Sequence, residues 1–143
     1  MTETTHLLKL CVGAEKVQDL TDWQESRRQA WPDGLPRHIT RMWPKRSAEL
    51  LNGGSLYWVF KGVILARQRV LDLEERRGED GIMRCALVLD GEVVRTEGAP
   101  RRAFQGWRYL APADAPRDLP QGREAEDTLP ADLARALADI GLR

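Results

Sequence analysis

The sequence is poor in the residues that metal binding and nucleophilic catalysis draw on. Its 143 residues include two histidines, His6 and His38, and two cysteines, Cys11 and Cys85. No HxH, HxxxH or paired-cysteine spacing occurs, so no metal site is expected. The cysteines sit inside apolar runs, LLKLCVG and RCALVLD, and read as core thiols in a reducing cytoplasm. No G-x-S-x-G elbow is present, and Asn52-Gly53-Gly54-Ser55 lacks both the P-loop lysine and the dinucleotide-binding spacing. No catalytic residue and no cofactor is therefore expected. No apolar run approaches the roughly 18 residues that span a bilayer. The opening MTETTHLLKLCVG has no basic n-region, so neither a signal peptide nor membrane attachment is expected, and the location read from this is cytoplasmic.

Net charge is lacking too: 22 basic residues balance 22 acidic ones. A neutral total argues against a protein that coats nucleic acid indiscriminately. The balance is uneven along the chain, however. From Arg37 to Arg69 seven basic residues (Arg37, Arg41, Lys45, Arg46, Lys61, Arg67, Arg69) face one acid, Glu49, a local excess of six. Such a segment gives a neutral protein a positive face.

The hydrophobic pattern outlines the fold. HLLKLCVG reads as a central strand. Val17, Leu20, Trp23 and Arg27 recur at helical spacing over Glu15 to Gln29. Two prolines and an Asp-Gly pair in WPDGLP stop that helix, and RHITRMW follows as a short strand. PKRSAELL reads as a helix with Pro44 in its first turn and Asn52-Gly53-Gly54 as its stop. SLYWVFKGVILARQRVLDLE is the strongest β signal, and Gly62 marks a break or bulge that bends it. IMRCALVLD and EVVRTE follow as strands joined by an Asp90-Gly91 hairpin, and AFQGWRYL is the last of about six strands. The expected class is α+β, with a small curled antiparallel β-barrel and two or three helices. Residues 1–110 form that single domain, 111–129 a proline-rich arm and 130–143 a C-terminal helix.

Cations and aromatics interleave in RMWPKR (41–46) and again in RRAFQGWRYL (101–110). Bases stack on aromatic rings, and Arg and Lys take phosphate, so the pattern fits RNA or a nucleotide. The candidate binding residues are Arg41, Trp43, Lys45 and Arg46 as one wall, Lys61, Arg67 and Arg69 for phosphate, and Gln105, Trp107 and Arg108 for stacking and base edges. Pro44 at a helix start would aim N–H groups at an anion. Trp58, inside YWVF, reads as core. Two other functions stay open. One is a protein-interaction or assembly module, including a homo-oligomer, anchored by Trp and Arg. The other is a small hydrolase on a nucleoside-like substrate, pairing Lys45 or Lys61 with Glu74.

The peptides HITRMWPKRSAELLNGGSLYWVFKGVILARQRVL, EDGIMRCALVLD and FQGWRYL resemble the bacterial family known as domain of unknown function 1489, over roughly residues 6–119, with the proline-rich tail outside the resemblance. The family implies no activity. At the level of fold, a helix ending in Gly-Gly followed by a long bent strand is similar to PUA-like barrels of the ASCH and EVE groups, which implies binding of RNA or modified bases. Gly53-Gly54-Ser55-Leu56 lacks the lysine and threonine of the ASCH turn, so the hydrolase activity of some ASCH members does not carry over.

Overall fold

A computed structural model of the chain describes residues 3–102, 104 and 106–119. The expected C-terminal helix lies outside the described residues. Strand β1 (His6–Leu10) leads to helix α1 (Val17–Ser26), shorter than its sequence pattern because a 3-10 turn, Arg28–Ala30, replaces the last expected turn. The Asp19 carboxylate accepts the backbone N–H groups of Glu15 and Lys16 at 3.0 and 3.2 Å, which satisfies orphan donors at the start of α1. Val17 and Leu20 are buried, but Trp23 of the same stripe is 53% exposed. Strand β2 (Arg37–Thr40), helix α2 (Ser47–Leu51) and strand β3 (Ser55–Phe60) follow. The remaining strands are β4 (Val63–Arg77), β5 (Met83–Leu89), β6 (Val94–Pro100) and β7 (Trp107–Leu110). Among the described residues no helix is long and apolar enough to cross a membrane.

The seven strands form one mixed sheet, and it does not close into a barrel. β1 lies between β3 and β7, parallel to the former and antiparallel to the latter. The purely antiparallel barrel expected from hairpin signals is thus corrected: helices and β2 intervene between β1 and β3, and such a crossover allows parallel pairing.

β4 is the organiser. It pairs with β3 along one edge over Val63 to Arg69, and with β6 and then β5 along the other. Two Gly-containing sites exchange the roles read from sequence. Lys61 and Gly62 have φ of 47° and 85°, so they form the two-residue turn of the β3–β4 hairpin rather than a bend in one strand. Asp90-Gly91 makes no hairpin. It interrupts one long arm, β5 continued by β6, that runs antiparallel to β4 throughout. The bend in β4 comes from bulges: Leu65 and Leu71 each stand extra against the facing strand. β2 covers the outer edge of β5, and residues 117–119 cover that of β6 through the Thr96–Asp118 bridge.

Both faces of the sheet are covered around β3, whose six residues are all buried. Leu56, Trp58 and Phe60 pack with Leu7, Val17, Leu20, Leu50 and Val70 on the face carrying α1 and α2. Tyr57 and Val59 pack with Leu8, Ile64 and Leu110 on the other. Burial on both sides explains the unbroken apolar run SLYWVF.

Candidate functional site

The RMWPKR segment is a loop fastened to β7. Pro44 is fully buried, the Met42 carbonyl accepts the Trp107 indole N–H at 3.1 Å, and the Arg46 N–H donates to the Tyr109 hydroxyl at 3.0 Å. The Trp107 and Tyr109 rings meet edge to face at 4.9 Å, so the two anchors support each other. Arg46 turns back to Glu49 with bonds of 2.9 and 2.7 Å and covers the Tyr109 ring at 5.3 Å. Helix α2 begins only at Ser47, so Pro44 does not open it. The anion site expected at that helix start is corrected, because the Arg46 N–H is already taken by Tyr109.

With the backbone held, the large side chains stay outside. Met42 is 65% exposed, Trp43 41% and Tyr109 36%. Arg41 and Lys45 are exposed and carry no acidic partner among the described residues. Arg108 is exposed on β7 between Trp107 and Tyr109, so strand alternation turns it to the opposite face from these anchors, with its guanidinium 5.7 Å from the Phe104 ring centre. Met42 and Tyr109 are the members that sequence reasoning missed. The i, i+2 spacing of Trp107 and Tyr109 on a strand was the available signal for the second.

The other candidates lie elsewhere. Trp107 is buried and its N–H is spent on Met42, which corrects its expected stacking role to that of an anchor. Lys61 stands at the tip of the β3–β4 hairpin, 3.2 Å from Glu15. Arg67 is held by both oxygens of Asp118, each at 2.7 Å, and by the Ser55 hydroxyl at 3.0 Å. Arg69 shares a 440 Å³ hollow with Arg67, Asp90, Glu92 and Asp118, so acids already compensate that pair. Gln105 lies outside the described residues. Glu74 bonds to Arg37 and lies beside Arg76, while Lys61 pairs with Glu15; among the described residues no Glu74–lysine contact of the kind a hydrolase reading asks for is formed. Burial pushes the Cys11 thiol up to about 12 and Cys85 up to about 11, which keeps both protonated at neutral pH.

His38 is the most perturbed histidine. Its ring lies edge-on to Trp58 at 5.3 Å, and its Nε2 is buried with no hydrogen-bond partner among the described residues. Burial, helped by Lys9, lowers its pKa to about 4. The unfolded chain then takes up a proton near pH 6.5 that the folded chain refuses until about pH 4, so stability falls as pH drops through this window. The ring is not wholly enclosed, and we expect a loss on the order of 2 kcal/mol. His6, lowered by burial and by Arg67, acts in the same direction. Urea unfolding at pH 7 and pH 4.5, compared with His38→Phe, separates the two. An identical pH dependence in the variant would refute the assignment to His38.

Residues 7–143 match the family model described as Protein of unknown function (DUF1489), and the chain belongs to that family. The match extends past residue 119 to the end of the chain, so the proline-rich segment and the residues after it belong to the family region rather than lying outside it. No curated protein and no solved structure matches the chain.

Proposed function

We propose that this member of the DUF1489 family binds single-stranded RNA or a nucleotide along the 41–46 loop and β7, without catalysing a reaction. One observation carries the proposal: the loop backbone is fixed at Met42, Pro44 and Arg46, yet Met42 and Trp43 point large apolar groups at solvent between Arg41 and Lys45, which have no acidic partner among the described residues. Rigid backbone with exposed aromatic and cationic side chains lowers the entropy lost on binding. The resemblance to PUA-like barrels suggested by the sequence enters only as analogy, since fold alone does not confer function.

The test is fluorescence anisotropy with a short single-stranded RNA at two salt concentrations. Two phosphate contacts predict about a sevenfold loss of affinity between 50 and 200 mM salt, from a slope near 0.7 per contact. Arg41→Ala/Lys45→Ala should remove that salt dependence, and Trp43→Ala should weaken binding about tenfold through lost stacking. Absence of binding at low salt overturns the proposal. Salt-independent self-association centred on Met42 and Trp43 would instead assign the surface to a protein partner.

A further inference from the structure

Two cavities adjoin beneath α1, on the face of the sheet that carries the helices. One, about 260 Å³, is walled by Trp23, Arg27, Arg28, Trp31 and His38. The other, about 300 Å³, runs between Trp58, Lys9 and Cys11. Trp23 and His38 line both, so the Trp23 indole stands between the two spaces.

Three features of this cleft go unused by the fold. Trp23 is an apolar residue of α1 that is 53% exposed where the helix stripe would bury it. His38 keeps a buried Nε2 without a partner among the described residues, an arrangement that is uncommon in folded proteins. Arg27 lies 5.1 Å over the Trp23 ring with no acidic partner among the described residues, and Arg28 has only a 3.5 Å contact to Glu25 between two exposed side chains. Arg37, by contrast, is fully committed to Asp33 and Glu74, so it walls the cleft without offering charge to a ligand.

From these we infer that the cleft is a binding site for a small planar aromatic anion. The ring lies against the Trp23 indole, and Trp31, whose ring already carries the Arg37 and Arg76 guanidinium groups at 5.1 and 4.8 Å, walls the slot. The ligand's carboxylate or phosphate faces Arg27 and Arg28, whose planar guanidinium groups suit either acid. His38, which lines both spaces, closes one side of the slot. Cavities of this size fall at or below the lower limit for drug-sized ligands, which restricts the occupant to one or two rings. The site is independent of the proposed RNA surface, because it shares no residue with it.

The five tryptophans make the test direct, since each contributes one indole N–H signal in a nitrogen–proton correlation spectrum. The full chain is titrated with indole-3-acetate, benzoate and adenosine 5′-monophosphate, and with acetate as the ringless control. Shifts of the Trp23, Trp31 and Trp58 signals, with those of Trp43 and Trp107 unmoved, are expected for at least one ring-bearing acid. Whether the carboxylates or the monophosphate respond identifies the acid. Arg27→Ala, an exposed position, should weaken the response at least fivefold or so through loss of a charge-assisted bond. Equal shifts with acetate, no shift with any ring-bearing acid up to 10 mM or so, or an unchanged response in Arg27→Ala together with Arg28→Ala would each overturn the inference. Movement of the Trp43 signal alone would bear on the RNA surface and would overturn the cleft.

Discussion

Gly54→Ala is expected to destabilise the protein by more than about 3 kcal/mol, beyond the usual range for overpacking. That corresponds to a fall in melting temperature of roughly 10 °C for a chain of this length. A Cβ at residue 54 would stand 2.2 Å from the Thr5 carbonyl oxygen and 2.4 Å from that of Leu50. Both are backbone atoms and cannot swing aside as a side chain tip does. The Leu50 oxygen also accepts the Gly54 N–H at 2.8 Å, and the Gly54 oxygen accepts the Val70 N–H at 3.0 Å. The end of α2, the approach to β1 and the start of β3 therefore all meet at this atom-sized gap. Circular dichroism melting is the measurement, with Gly53→Ala as the control. Gly53 has φ of 90° and nothing within 4 Å, so its substitution carries only backbone strain, about 1 kcal/mol. Equal losses in the two variants would show that the clash at Gly54 is relieved by a small shift.

Gln68→Leu is the second large effect, at about 3 kcal/mol, because it leaves buried groups without partners. Gln68 is wholly buried in β4. Its Oε1 accepts the Trp58 indole N–H at 2.9 Å and a Gln24 amide N–H at 2.8 Å. Its Nε2 donates to Gln24 Oε1 at 2.8 Å and to the Asp90 carbonyl at 3.0 Å. One amide thus ties α1 to the sheet and to the interruption between β5 and β6. Leucine fits the volume but strands the Trp58 N–H and the Asp90 carbonyl. Gln24 is only partly buried and can turn to water. The expected result is a lower urea midpoint with an unchanged slope. A loss below about 1 kcal/mol would mean that water replaces the amide at this depth.

Local chemistry was legible in the sequence wherever a feature depends on neighbours in the chain. The α1 stripe of Val17 and Leu20, the Asn52-Gly53-Gly54 stop and the buried run of β3 all followed from spacing. Partner choice was not. Asp90-Gly91 carries the better hairpin signature and Lys61-Gly62 the poorer one, yet the turn forms at Lys61-Gly62. Pairing of β4 with the whole of β5 and β6 outweighs the local preference of Asp-Gly. The site divides in the same way. Trp43 and Trp107 have similarly charged neighbours in sequence, yet Trp43 is exposed and Trp107 buried. That Trp107 is an anchor depends on a carbonyl 65 residues away, and that Arg67 is neutralised depends on Asp118, 51 residues away.

The long arm facing β4 also sets an order of assembly. From Ser55 to Pro100 every pairing is made through the Lys61-Gly62 turn or the Gly78–Ile82 turn, so this meander closes only short loops. β1 must instead wait for β3, and β7 closes on β1 across a separation of about a hundred residues. During synthesis, in which the N-terminal part emerges first, the 41–46 loop leaves the ribosome long before β7 exists. The Met42 carbonyl and the Arg46 amide then have no Trp107 or Tyr109 to receive them. The exposed tryptophan gains its fixed setting only when the rest of the domain is complete, so an immature chain cannot display the finished surface.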